Sequence, residues 1–292
     1  MYNTKRKQGI IIFLVRIRIA HSPDSDDAFM FYPLTAGVVD TEGLEIEHVL
    51  ADIETLNQRA LEGTYEVSAV SFHAYPYIAD KYLVLPSGGS VGDGYGPLVV
   101  AKEELKSLKG EKVAVPGKLT TAYLVLKLYE PDFEPVVMPF DKVLDAVLSG
   151  EVKVGLVIHE GQLSYKDKGL NKVVDLGEWW KESFGLPLPL GGNVVRKDLG
   201  KEIIQKLQGL MRKSVEYALS HSEEALKYAR EYARDIKEDT ERTKKFVSMY
   251  VNERTVDYGE DGRRAVRLLL SLGYQRGIIQ VPPPEVIFSD EV

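Results

Sequence analysis

In the first half of the chain, short apolar runs alternate with segments of helical spacing. Arg16–Ala20 reads as a strand, His21–Asp27 as a loop, and Ala28–Ala36 as a helix with Asp26 or Asp27 as its N-cap. Leu44–Val49 alternates as a strand, Asp52–Leu61 is helical and closed by Gly63, Val67–Val70 is a short strand, and Phe72–Ala79 is helical. Strands at Leu98–Lys102, Lys112–Val115, Val136–Met138 and Val154–Ile158 follow, with helices opening at Gly117–Ala122 and at Phe140 between them. This alternation predicts a mainly parallel sheet covered by helices. The last third differs. Asp198–Leu219, Ser222–Arg234, Thr240–Val251 and Gly259–Leu272 are amphipathic helices, Ser222 capping the second, and the stripe Ile203, Ile204, Leu207, Leu210, Met211 and Val215 is core.

Two segments break the pattern. Ser87–Gly96 holds five glycines in ten residues, as a crossing between sheets would. Leu186-Pro187-Leu188-Pro189-Leu190, with Trp179 and Trp180 upstream, reads as hinge packing. The expected organisation is α/β with two lobes: residues 17–97 and 190–292 in a discontinuous lobe 1, residues 98–189 in lobe 2, and an N-terminal extension over 1–16 that is not native if Val15 is the true first residue.

Composition narrows the function classes. The 292 residues are 44% hydrophobic, enough for sizeable cores, and carry a net charge of −7 with scattered basic residues, which disfavours nucleic acid. Zero cysteines exclude disulfides, thiolate metal sites, a thiol nucleophile and a lipoprotein anchor. The apolar run Ile10–Val15 has six residues before Arg16, shorter than a secretory core of about 7–15 residues or a membrane span of roughly 20. A cytoplasmic protein without membrane attachment is expected.

Three segments carry candidate chemistry. His159 follows a buried strand, where open α/β sheets bind ligands, and imidazole titrates near neutrality. Val113–Gly117 leading into Thr120, Thr121 and Ala122 is strand, glycine turn and helix start. Its free N–H groups and hydroxyls suit a carboxylate, whereas the bland alternative is that Thr120 only caps the helix. The loop His21–Phe29 offers Ser22, Asp24 and Asp26 to substrate hydroxyls. It lacks the glycine and distal Glu of a calcium loop, and no metal is expected. Asn57, Ser71 and His73 are weaker candidates for the same cleft.

The order of motifs is itself specific. Ser22-Pro-x-x-x-Asp27-x-Phe29, Thr55-Leu-Asn57, Ser71-x-x-Ala74-Tyr75, Gly96-Pro-Leu-Val-Val-Ala101, Val113-Ala-Val-Pro-Gly117, Thr120-Thr-Ala-Tyr123, Ile158-His-Glu160 and Gly185-Leu-Pro-Leu-Pro-Leu-Gly191 occur in sequence. The chain resembles the 1,4-dihydroxy-6-naphthoate synthase family of the futalosine route to menaquinone, over roughly residues 17–275. The resemblance implies the fold of type II periplasmic binding proteins, with the C-terminal helices packed on lobe 1. It implies a cytoplasmic lyase that acts on cyclic dehypoxanthinyl futalosine, a small-molecule carboxylate, without a cofactor. By position His159 resembles the family's general base, and Asn57, Ser71, Thr121 and Ala122 its ligand contacts. The family's first loop commonly reads Ser-Pro-Cys-Pro-Asn-Asp-Thr. Here Asp24 stands for the Cys, Asp26 for the Asn and Ala28 for the Thr, which adds negative charge at the cleft mouth. Two rivals use the same scaffold: a carboxylate-binding protein without chemistry, and chorismate dehydratase of the same pathway.

Overall fold

The computed structural model describes residues 2–7, 10–234 and 236–292, with side chains from residue 15 onward. The expected N-terminal extension falls in part on residues 1, 8 and 9, outside the described residues. In chain order the elements are β1 (Tyr2–Lys7), β2 (Ile10–His21), α1 (Ser25–Thr35), β3 (Leu44–Leu50), α2 (Ile53–Leu61), β4 (Val67–Ser71), β5 (Tyr82–Val84), β6 (Ser90–Gly92), β7 (Leu98–Ala101) and β8 (Lys112–Val115). Then come α3 (Thr121–Tyr129), β9 (Glu134–Val137), α4 (Val143–Ser149), β10 (Val154–Val157), α5 (Gly161–Ser164), β11 (Asn171–Asp175), α6 (Leu176–Phe184) and β12 (Leu188–Arg196). The chain closes with α7 (Lys201–Ser220), α8 (Ser222–Ala229), α9 (Thr240–Tyr250), α10 (Glu253–Val256) and α11 (Gly259–Gln275).

Among the described residues the strands form two sheets, one running β1-β2-β4-β12-β5 with β3 beside β2 and β6 beside β12, the other β11-β7-β10-β8-β9. Neither is purely parallel. β2 pairs in parallel with β3 and β4, but β12 returns antiparallel to β4, β5 and β6. In the second sheet β8 is parallel to β9 and β10, while β7 runs antiparallel to β10 and β11. The alternation of strands and helices could not reveal these reversals, because β7 and β12 enter their sheets from the crossings rather than from a helix. The glycine-rich and proline-rich crossings pair with each other through Leu188↔Gly92 and Pro189↔Val91.

Burial explains the run Val154–Val157, which shows no in–out pattern. Val99, Val113, Val115 and Leu156 face one apolar cluster with Leu124, Leu126, Trp180 and Leu188; Leu98, Val100, Ala114 and Val157 face another with Val143 and Val147. A strand buried on both faces reads as continuously hydrophobic. In the first sheet Ile17 and Ile19 meet Phe29 and Phe31 of α1 and Leu207, Leu210 and Met211 of α7, so the predicted stripe of α7 is core. Each such side chain contributes about 1.5–3 kcal/mol on burial.

Several local expectations shift. Phe72–Ala79 forms a single 3-10 turn at Tyr75–Tyr77 rather than a helix, with Pro76 inside it. Helix α1 begins at Ser25, so Asp24 takes the cap position without a capping bond, and Asp26 and Asp27 lie in the first turn. His221, not Ser222, occupies the cap position of α8. Gly63 does follow α2, with φ +71°, which glycine tolerates.

Candidate active site

The carboxyl ends of β2, β4 and β10 and the start of α3 converge on one cleft. Its empty volume is about 780 Å³, open solvent at the mouth included. The walls bring together Ser22, Asp26, Ser71, Thr120, Thr121, Ala122 and His159, all singled out in the sequence. Asn57 is fully buried behind the wall. Its Nδ2 donates to Ser71 Oγ (3.2 Å) and its Oδ1 accepts from Ser71 N (2.8 Å), so it fixes Ser71. His73 lies equally deep, its Nδ1 3.3 Å from Thr120 O, and burial pushes its pKa down to about 4.

The start of α3 divides its two threonines. Thr120 Oγ1 accepts from Tyr123 N (3.2 Å) and donates to Gly117 O (2.9 Å), which is the capping role foreseen as the alternative. Thr121 Oγ1 accepts from His73 N (3.3 Å), leaving its hydroxyl proton free for a ligand in the cleft.

His159 stands at the end of β10 with φ +56°, a left-handed conformation that a non-glycine residue adopts at a cost of order 1–3 kcal/mol. Its Nδ1 lies 3.1 Å from Asp24 Oδ2, and its ring meets Phe140 edge-on at 4.7 Å. Nε2 is buried with no partner among the described residues, in a residue that lines the cleft. Burial holds its pKa below the ordinary 6.5, Asp24 opposing that shift and Arg234 adding to it.

The acidic loop is differentiated. Asp24 is buried and turns away from this cleft toward Ser22 Oγ (2.6 Å), His159 and Arg234. It lines a second cavity behind His159 instead. Asp27 Oδ2 accepts from Ser22 N (2.7 Å), and burial pushes its carboxyl up to about 7. Burial, with repulsion from Asp27 and Asp24, raises Asp26 well above the carboxylate range, and its Oδ1 has no partner among the described residues. Because these folded-state pKa values are raised, the unfolded chain ionises first, near 3.8, and stability falls as pH rises from about 4 toward 7. Asp26→Asn should therefore melt higher than the parent above pH ~7 and level with it near pH ~4. Melting curves at the two pH values check this, and an equal offset at both would contradict it.

Sequence reasoning missed the far wall. Gln162 Oε1 accepts from Tyr250 OH (2.7 Å), and Phe246, Asn193, Gly191 and Gly192 complete the cleft. Asn193 Nδ2 donates to Gly88 O (2.8 Å) while its Oδ1 lacks a partner among the described residues. Gln162, three residues beyond His159, was within reach of the motif. Tyr250 and Phe246 sit on an ordinary amphipathic helix and carried no signal. No group of three or more metal-ligating side chains converges among the described residues, nor is any helix there long and apolar enough to cross a membrane.

Two sheets joined by paired crossings, with a cleft at their strand ends, define a periplasmic-binding-protein-like architecture. An alkanesulfonate-binding protein from Xanthomonas axonopodis has this fold at TM-score 0.68, with 13% identity over 94% of this chain and 97% of that one. The chain belongs to the menaquinone biosynthesis family, whose model matches residues 17–275. Two curated relatives named 1,4-dihydroxy-6-naphtoate synthase cover nearly the whole chain. That of Thermus thermophilus is 45% identical over 93% of this chain and 98% of its own, and that of Streptomyces coelicolor 38% identical over 93% and 97%. A crystal structure of protein AF1704 from Archaeoglobus fulgidus is 52% identical at TM-score 0.87, covering 90% of this chain and 98% of that one.

Proposed function

We propose that this chain is a lyase that cleaves cyclic dehypoxanthinyl futalosine to 1,4-dihydroxy-6-naphthoate, with His159 as general base. The observation that carries the reading is the His159 ring itself: one nitrogen is engaged by a carboxylate, the other is unpartnered among the described residues, and the residue lines the same cleft as the start of α3. The names and nearly full-length cover of the two curated relatives support the same product.

The substrate carboxylate docks on the start of α3, where the Thr121 hydroxyl and free N–H groups meet it. Ser71, held by Asn57, and Asp26 contact hydroxyls. Nε2 of neutral His159 takes a proton from the sugar-derived part. A carbonyl forms there as the C–C bond to the ring system breaks, the bonding pair passes into the ring as an enolate, and the proton held by His159 returns to the enolate oxygen as the ring aromatises to the diol. Aromatisation supplies driving force, so positioning and one base suffice. Lobe 1 (17–97 and 190–292) brings the acidic loop and Ser71, and lobe 2 (98–189) brings Thr121 and His159. On this reading the enzyme works in the cytoplasm on a small-molecule substrate.

Incubating purified protein with cyclic dehypoxanthinyl futalosine, and separately with chorismate, tests the reading. Naphthoate diol from the first and no change in the second is expected; the reverse would make the chain a dehydratase, and binding without turnover a receptor. Thr121→Val should weaken binding by about 1.5–3 kcal/mol, the worth of one hydrogen bond to a charged ligand, and leave the fold intact. Unchanged kcat and KM would remove Thr121 from the site.

A further inference from the structure

The environment of His159 holds a group that the proposed chemistry has not used. Asp24 is 3% exposed, and its two oxygens meet three partners: Oδ2 accepts from Ser22 Oγ (2.6 Å) and lies 3.1 Å from His159 Nδ1, while Oδ1 is 3.3 Å from an Arg234 guanidinium nitrogen. That guanidinium stacks over Phe140 at 4.4 Å, and Phe140 in turn packs edge-on against the His159 ring. Glu160, the next residue, ties the same neighbourhood together by accepting from Ser25 Oγ (2.7 Å) and Arg234 N (2.8 Å). Asp24 belongs to the loop after β2, His159 to the end of β10 and Arg234 to the segment after α8, so three separate parts of the chain lock one imidazole.

We infer that Asp24 is the positioning residue of the base: its carboxylate holds His159 as the Nδ1–H tautomer and leaves Nε2 as the basic nitrogen, and it does so from behind the cleft wall that His159 forms. The inference rests on the reading of His159 as general base. A carboxylate only accepts, so Nδ1 must carry the proton, which makes Nε2 the basic nitrogen. That nitrogen is the one left buried and without a partner among the described residues, in a residue that lines the cleft. The same geometry recurs wherever a carboxylate orients a histidine base. The carboxylate follows a strand of the first sheet and the imidazole a strand of the second, so the two sheets together assemble the base. The charged groups around the ring are Asp24, Arg234, Asp52 at the cap of α2 and Glu160, with Asp26 and Asp27 on the neighbouring turn. Of these, Asp24 is the one in contact with the ring and the strongest support for its protonated form.

Asp24→Asn is the informative variant. The amide oxygen turns to Arg234, so the amide N–H faces Nδ1 and drives His159 to the Nε2–H tautomer, which cannot act as base in the cleft. We expect kcat to fall at least tenfold, on the order of 10²-fold, with KM within about threefold, and the acidic limb of kcat/KM to move to lower pH. Nitrogen NMR of histidine-labelled protein reads the tautomer directly and needs no substrate. The chain has five histidines, and His159→Asn assigns the signal. The expected result is Nδ1–H in the parent and Nε2–H in Asp24→Asn. Nε2–H in the parent, an unchanged kcat in Asp24→Asn, or a raised KM at constant kcat would each overturn the inference. The NMR arm stands even where the variant folds poorly, because it is read on the parent. Failure of the functional reading is distinguishable: it abolishes turnover in the parent and leaves the tautomer as predicted.

Discussion

His159→Asn should lower kcat by roughly 10²–10⁴, about 3–5 kcal/mol of transition-state stabilisation, while substrate affinity and melting temperature stay close to those of the parent. Asn retains polarity and approximate size but cannot take a proton. In the parent, kcat/KM should show an acidic limb below pH 6.5, the ordinary histidine value, because burial disfavours the imidazolium of His159 more than Asp24 restores it. Protonation removes the base, so activity is lost as pH falls through that limb, and the limb is absent in the variant. The competing account, a histidine that only braces the strand end, expects the opposite division: a lowered melting temperature with near-normal turnover. The φ of +56° counts against that account, since Asn tolerates the left-handed region better than His and would relieve strain there. A variant that is no less stable and far slower is the outcome the geometry favours.

The largest effect on stability is expected at the crossing between the sheets. Trp180 is fully buried, its Nε1 donates to Pro187 O (3.0 Å), and its ring meets Phe184 at 4.4 Å. Trp180→Ala removes this packing and leaves a buried carbonyl unpaired, a loss of about 3–5 kcal/mol. For a chain of this size that corresponds to a fall in melting temperature on the order of 10 °C. Differential scanning calorimetry checks it; a fall of less than about 3 °C would mean that the crossing does not brace the two sheets.

The sequence and the structure meet most closely where local chemistry decides. The β10–His159 step was legible because a doubly buried strand ending in a histidine has few other meanings. The α3 start was legible because strand, glycine and threonine pair specify both a turn and a cap. Strand direction was not. β7 and β12 reverse within their sheets, and nothing in Leu98–Ala101 or Leu188–Arg196 records which way a neighbour runs, since side-chain alternation is the same in both senses. The acidic loop was legible only as a cluster. Aspartates that look equivalent in the chain point to different surroundings, Asp24 to His159 and Arg234, Asp27 to Ser22 N, because Asp24 sits in extended backbone ahead of α1 and Asp27 in its first turn. The contribution of α9, through Tyr250 and Phe246, depends on a contact between residues 88 apart, which no local pattern encodes.

The central claim is that the substrate reacts in this cleft, anchored on α3 and attacked by His159. A crystal structure of His159→Asn soaked with cyclic dehypoxanthinyl futalosine tests it most directly. The account predicts the carboxylate against Thr121 and Ala122, with the sugar-derived part within hydrogen-bond reach of residue 159. A ligand seated in the second cavity, on the Asp24 and Arg234 side of that residue, or one whose carboxylate points away from α3, would contradict it.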